Sequence, residues 1–281
     1  MRDSAGLIGT SRTAQRMGRG LRSLGKRGAE IVAPIVVLLV VWQACVSLRL
    51  VPSFLVPSPG AVFSAMVSQW ELLLHHTLIT ALEVLLGFVL AAAIGIPLGW
   101  LIVSSRALER TIYPLMVGAQ AVPKVALGPI FVLAFGYGAL PKVILALLVA
   151  FFPIAAGSAV GFSSLDAGWF LLTRSMRASR LQTFLKLQIP AGLPSIFGGL
   201  KVGAALAVVG VVVGEFIGAD AGLSYLLLIA NANRDTATEF ACLILLSLLG
   251  VLFYALVALA EAIALPWRDP DAMRWSPQGT P

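Results

Sequence analysis

Charge is scarce in this 281-residue chain: Asp, Glu, Lys and Arg make up 12% of it, about half of what soluble domains carry. With 59% hydrophobic residues and a mean hydropathy of +0.94, that scarcity excludes an ordinary soluble domain and points to the membrane. Cysteine is nearly missing too. Cys45 and Cys242 both lie in apolar runs, which argues against a disulfide framework or a paired-cysteine metal site and makes them small core residues. Histidine is limited to the adjacent pair His75 and His76. Adjacent side chains diverge on a helix and no third ligand accompanies them, so they read as interfacial polar residues, and neither metal nor cofactor is expected.

The chemistry of an enzyme is likewise missing. No Ser, His and Asp grouping suggests a nucleophile. The nearest approach to a phosphate-cradling loop is Gly20-Leu21-Arg22-Ser23-Leu24-Gly25-Lys26-Arg27, where Arg27 replaces the hydroxyl residue that magnesium needs and no strand precedes it. Any ATP hydrolysis therefore belongs to another chain. The net charge of +7 does not indicate nucleic acid, because the tail from Met1 to Glu30 holds seven of the 20 basic residues against Asp3 and Glu30. Basic residues beside a first span hold a terminus in the cytoplasm and meet anionic lipid.

What the chain has in abundance is long apolar runs. They predict an all-α polytopic protein of six membrane-spanning helices, at about 31–48, 77–103, 112–135, 142–162, 193–217 and 237–265. A cleaved leader is the rival for the first run, but no small-residue cleavage site closes it. Between the first two spans, residues 49–76 carry Pro52, Pro57 and Pro59 and form an external segment; Ser58 as N-cap and Pro59 at N1 predict an interfacial helix to about Leu74. Counting Lys and Arg gives 15 inside against three outside (Arg49, Lys142 and Arg234), with Lys124 and Lys201 left within spans, which places both termini in the cytoplasm. Residues 1–30 and 266–281 become cytoplasmic tails.

Ionisable residues inside apolar runs are the default functional candidates, because each costs about 2.5–3.5 kcal/mol near mid-bilayer. They are Glu83, Lys124, Lys201, Glu215 and Glu261. Glu261 and Lys201 can reach an interface. Lys124 and Glu215 are left as candidates for a translocation path or for structural roles. Lys124 lies between Pro123 and Pro129, which break the third span and free carbonyls that an ammonium could satisfy. Glu215 sits among Gly210, Gly214 and Gly218, a small-residue series that favours a packing seam with one buried carboxylate.

One cytoplasmic stretch needs explanation: Asp166 to Gln188, with Arg174, Arg177, Arg180 and Lys186, is long enough for two short helices. Read alone, it is a solvated, positive-inside loop. Yet Arg174-Ser175-Met176-Arg177-Ala178-Ser179-Arg180, then Phe184, then Ile189-Pro190-Ala191-Gly192-Leu193-Pro194 resembles the cytoplasmic EAA loop of binding-protein-dependent ABC importer permeases. Val122 to Pro129, Phe135 to Gly138, Phe151 to Ile154 and Gly214 to Ala219 are similar to the nitrate, sulfonate and taurine branch of that family, and the resemblance covers about 77–265.

The resemblance implies a type I importer permease in the bacterial inner membrane: a six-helix subunit working as a homodimer, with two cytoplasmic ATPase subunits and an external solute-binding protein. It makes 164–192 the coupling loop, with Leu171, Arg174, Ser175, Arg177, Ala178, Ser179, Phe184, Pro190 and Pro194 on the matching positions. The solute would be nitrate, a sulfonate, taurine or a similar small compound. Two places depart from the family pattern: Leu171-Leu172-Thr173 stands for Glu-Ala-Ala, and Arg177 stands for a glycine at a tight turn. An alternative, an ion-coupled secondary carrier relaying charge through Lys124, Glu83 and Glu215 without an ATPase, is opposed by six spans and no internal repeat. A membrane-embedded enzyme using His75 and His76 would need metal, and a scaffold would leave the coupling-like loop unexplained.

Overall fold

The computed structural model describes residues 33–34, 36–52 and 54–267. The basic tail with its Gly20 to Arg27 run, the first two residues of the expected first span and the tail from Arg268 lie outside them. The described chain is helical throughout, without a strand. It forms two units, residues 1–65 and 66–281.

In the first unit, α1 (Val36–Ser47) is followed by the proline-rich segment, and the Trp42 indole N–H donates to the Pro57 carbonyl at 3.0 Å. Helix α2 (Pro59–Ser68) starts as its sequence dictates, the Ser58 hydroxyl accepting the Ala61 N–H at 3.2 Å. It ends sooner than Leu74. Trp70 already opens the next helix, so residues 70–74 belong to α3 and not to the helix that Ser58 caps.

The second unit holds α3 (Trp70–Ser104), α4 (Arg106–Gln120), a 3-10 turn (Lys124–Leu127), α5 (Gly128–Phe135), α6 (Ala139–Phe162), α7 (Ala167–Ser175), α8 (Arg180–Thr183), a π turn (Phe184–Gln188), α9 (Ile189–Gly218), α10 (Leu223–Ala232) and α11 (Thr236–Ala264). Among the described residues, α3, α6, the continuous helix Leu181–Gly218 and α11 are long and apolar enough to cross a membrane. Helix α4 and the Lys124–Phe135 segment pass the same test only together, bent by 78°. That bend has a cause in Pro123, which lacks an N–H and bars Val122 from helical geometry. Helix α3, with 35 residues, is roughly 50 Å long at 1.5 Å per residue, well beyond a hydrocarbon layer of about 30 Å. Its ends therefore extend past the expected 77–103.

Helix α6 is central, packed against α3 on one side and α9 on the other, with α11 and α10 against α9. Lipid is as apolar as leucine, so helix association relies on close backbone approach through small residues. A methyl added at Gly99 would lie 2.8 Å from the Ala155 carbonyl oxygen; one at Gly161 would lie 2.6 Å from that of Gly192; one at Gly214 would lie 2.9 Å from Lys142 Cα. Val84, Ala91, Ala146, Ala150, Ile154, Ala204 and Val211 fill the remaining core. Leu82, Leu86, Val251 and Leu259 face outward, where the solvent for a span is lipid.

Candidate translocation path and coupling loop

Two carboxylates and a lysine lie buried where α3, α6 and α9 meet. Glu83 on α3 pairs with Lys142 on α6 at 2.5 Å, and the two side chains belong to residues 4% and 1% exposed. Lys142 thus corrects the sequence reading: counted there among the outward-facing cations at the start of the fourth span, it is a buried core residue. Its ammonium also donates to the Ala221 carbonyl at 3.3 Å. Glu215, 1% exposed, accepts the Thr80 hydroxyl at 2.7 Å and the Ser224 N–H at 2.7 Å. Thr80 in turn accepts the Leu223 N–H at 2.8 Å, and His76 Nδ1 accepts that of Gly222 at 3.0 Å. Side chains from two helices, α3 and α9, thus cap the first turn of α10, and the Glu215 carboxylate meets the positive end of that helix's dipole. Gly222 is required twice over: its φ is 125°, and a Cβ there would strike the Glu215 carboxylate.

At the same end, Asp235 caps α11, accepting the Thr238 hydroxyl at 2.6 Å and its N–H at 3.1 Å, while Gln69 donates to the Thr238 hydroxyl at 2.9 Å. Partial burial pushes the Asp235 carboxyl up, but these Thr238 hydrogen bonds outweigh it and hold the group below its ordinary value.

Lys124 stands apart from this network. At the bend, its ammonium donates to the Gln120 carbonyl at 3.3 Å and lies 4.4 Å from the centroid of the Phe152 ring. No contact among the described residues joins it to Glu215. Lys201 on α9 and Glu261 on α11 form a third interhelical pair at 2.7 Å. His75 and His76 meet edge-on at 5.4 Å, and the described residues contain no cluster of three metal ligands.

The expected coupling stretch is a helix–turn–helix. Helix α7 carries Leu171, Arg174 and Ser175, with the Arg174 side chain outside the described set. It ends in a Schellman motif: the Ala178 N–H reaches back to the Thr173 carbonyl at 3.0 Å, and Arg177 takes the left-handed conformation at φ 53°. Ser179 then opens α8 through a capping box, its hydroxyl accepting the Gln182 N–H at 3.2 Å while Gln182 Oε1 accepts the Ser179 N–H at 2.9 Å. The sequence reading missed this S-x-x-Q signal. The chain does not break before α9 as expected. In α geometry the Pro190 ring would strike the Lys186 carbonyl, and the wider turn relieves it, with Ile189 donating to Phe184, five residues back. Phe184 packs against Trp100 of α3 at 5.2 Å and Phe162 of α6 at 5.8 Å, tying the loop to both spans. Pro190 opens α9 and Pro194 lies inside it. Leu171, Met176 and Leu181 are 64%, 73% and 65% exposed.

The missed residues, Lys142, Thr80 and His76, are polar groups set in apolar runs. An opposite-charge partner for Glu83 was the available signal, though spacing alone does not choose among three lysines.

Comparison with known proteins places this geometry in a family. Residues 91–263 match the model of the binding-protein-dependent transport system inner membrane component. The formylaminopyrimidine transport permease protein ThiX of Halalkalibacterium halodurans is 36% identical over 248 residues, 86% of this chain and 98% of that one. The riboflavin transport system permease protein RibX of Chloroflexus aurantiacus is 38% identical over 237 residues, 83% of this chain and 88% of that one. A chain of the MetNI methionine ABC transporter, solved in inward-facing conformations, shares the fold at a TM-score of 0.60 and 18% identity, covering 71% of this chain and 97% of its own. The chain belongs to the binding-protein-dependent transport system inner membrane component family, as a multi-pass, non-catalytic permease subunit of an ABC importer.

Proposed function

We propose that the chain is one of two identical six-span subunits, both termini cytoplasmic, that receive a small solute from an external binding protein and open inward or outward as paired ATPase subunits close. The observation that carries the coupling reading is the helix–turn–helix of residues 167–188, which runs into α9 and is wedged by Phe184 between α3 and α6. A push on α7 or α8 would reach three spans through one ring. Leu171, Ser175, Arg177, Ala178 and Ser179 would face the ATPase groove together with Arg174, and Pro190 and Pro194 would set the direction in which α9 leaves the loop.

Of the two candidate path residues, Lys124 suits the role better. The Glu215 carboxylate is already taken up by Thr80 and Ser224, whereas Lys124 sits half-buried at the break. The motif similarity to the nitrate, sulfonate and taurine branch, together with relatives named for formylaminopyrimidine, riboflavin, aliphatic sulfonates and nitrate, supports a small polar solute.

The test is co-purification from native membranes in mild detergent, comparing wild type with a variant whose residues 171–187 are a Gly/Ser linker. An ATP-hydrolysing subunit should accompany wild type and be lost with the linker. A folded wild-type chain that never brings an ATPase would overturn this reading in favour of an ion-coupled carrier.

A further inference from the structure

Three lysines stand in the apolar stretches of the bundle, and two of them are neutralised within the chain: Lys142 by Glu83, Lys201 by Glu261. Lys124 has no carboxylate partner among the described residues. Its contacts are a carbonyl, Gln120 at 3.3 Å, and a ring face, Phe152 at 4.4 Å. Both are neutral, so they satisfy one of its three N–H donors and shield one side without cancelling the charge. A cation kept at apolar depth calls for a counter-charge, and the chain supplied one for each of the other two lysines.

The position fits a transient partner. Lys124 begins the segment after the 78° bend, on the side of α6 where Phe152 meets Phe151 edge-on at 5.1 Å. An ammonium over one ring face, with a second ring packed edge-on against the first, suits a ligand with an anionic end and an organic body, which desolvates at lower cost than a small inorganic ion. We propose that Lys124 is the counter-ion for an organic oxyanion, a sulfonate or carboxylate, passing the break in the span. This deepens the importer reading and rests on it: Lys124 makes the solute anionic, where that reading alone leaves its charge open. Arginine would keep the charge; glutamine would remove it and keep much of the shape.

The same oxyanion chemistry could come from a lipid headgroup, and the experiment separates the sources. The purified chain, its lysines reductively methylated with carbon-13, is placed in phosphatidylcholine nanodiscs, and the Lys124 resonance is assigned by its loss in Lys124→Arg. Benzenesulfonate and the neutral benzenesulfonamide are then titrated. The Lys124 signal should shift saturably with benzenesulfonate and at least tenfold less with the sulfonamide, while the Lys201 signal stays in place. No shift at Lys124, or equal shifts with both probes, overturns the proposal. So does a Lys124 signal that moves only when phosphatidylglycerol is added to the disc, since a headgroup is then the counter-ion. ATPase co-purification is scored on the same preparation. An ATPase-bound chain without the sulfonate shift sinks the subsite alone, and a chain that shifts but never binds an ATPase keeps the subsite and loses the importer.

Discussion

Where α3 and α6 begin and α9 ends, side chains from three helices take up the backbone groups of residues 221–224, and Lys142 answers Glu83 within the core. At the opposite end, the α7–α8 turn is fastened by its own caps and by the Phe184 ring, while Leu171, Met176 and Leu181 point away from the protein. Polar groups buried at apolar depth must be answered inside the chain, because no water is there to do it. Exposed apolar groups in a basic turn find no such answer among the described residues, and the importer reading gives them an ATPase to meet. The first end is built to stay and the second to be gripped.

The largest way to break that contrast is Lys142→Met, which strands the Glu83 carboxylate in the core. Removing one partner of a buried pair costs about 3–5 kcal/mol, and the double variant Glu83→Gln/Lys142→Met should recover most of it. Thermal unfolding in detergent reads both. A single variant as stable as wild type would mean the pair does not hold this end. A smaller loss is expected from Gly161→Ala, whose methyl would lie 2.6 Å from the Gly192 carbonyl oxygen and force α6 from α9. Overpacking of that kind costs about 1–3 kcal/mol. Gly198→Ala, with nothing within 4 Å of the added methyl, is the control and should gain about 0.5–1 kcal/mol from lower backbone entropy in the unfolded chain.

Much of the fold was legible because hydropathy reports burial in lipid directly. The runs around 77–103, 142–162, 193–217 and 237–265 all lie on helices long enough to span. What failed was punctuation. Pro190 and Pro194 read as a boundary, yet a single wide turn absorbs Pro190 and the helix runs on from Leu181. Pro123 read the same way and does interrupt its span: α4 ends at Gln120, and the chain turns by 78° before the segment that starts at Lys124. The buried pair was out of reach for a different reason: Glu83 and Lys142 are adjacent only because α3 and α6 pack through glycine and alanine, and a one-dimensional charge count set Lys142 among the outward-facing cations.

The coupling turn offers the two gentlest probes. Ser179→Ala removes half of the capping box and should cost α8 about 1 kcal/mol, seen as faster amide exchange over residues 180–183. Arg177→Gly should act the other way. Arg177 holds φ 53° at a helix end where glycine carries no Cβ penalty, so the turn should gain about 0.5–1 kcal/mol, slowing exchange at the Ala178 amide roughly two- to fivefold. The side chain is exposed, and no contact among the described residues offsets that cost. If the variant exchanges more slowly and also binds its ATPase less well, the arginine is kept for the partner at the expense of the turn. If exchange slows and binding is unchanged, the positive charge serves the membrane face instead. Unchanged exchange would show that the turn carries no strain, and the contrast between the two ends would then rest on packing alone.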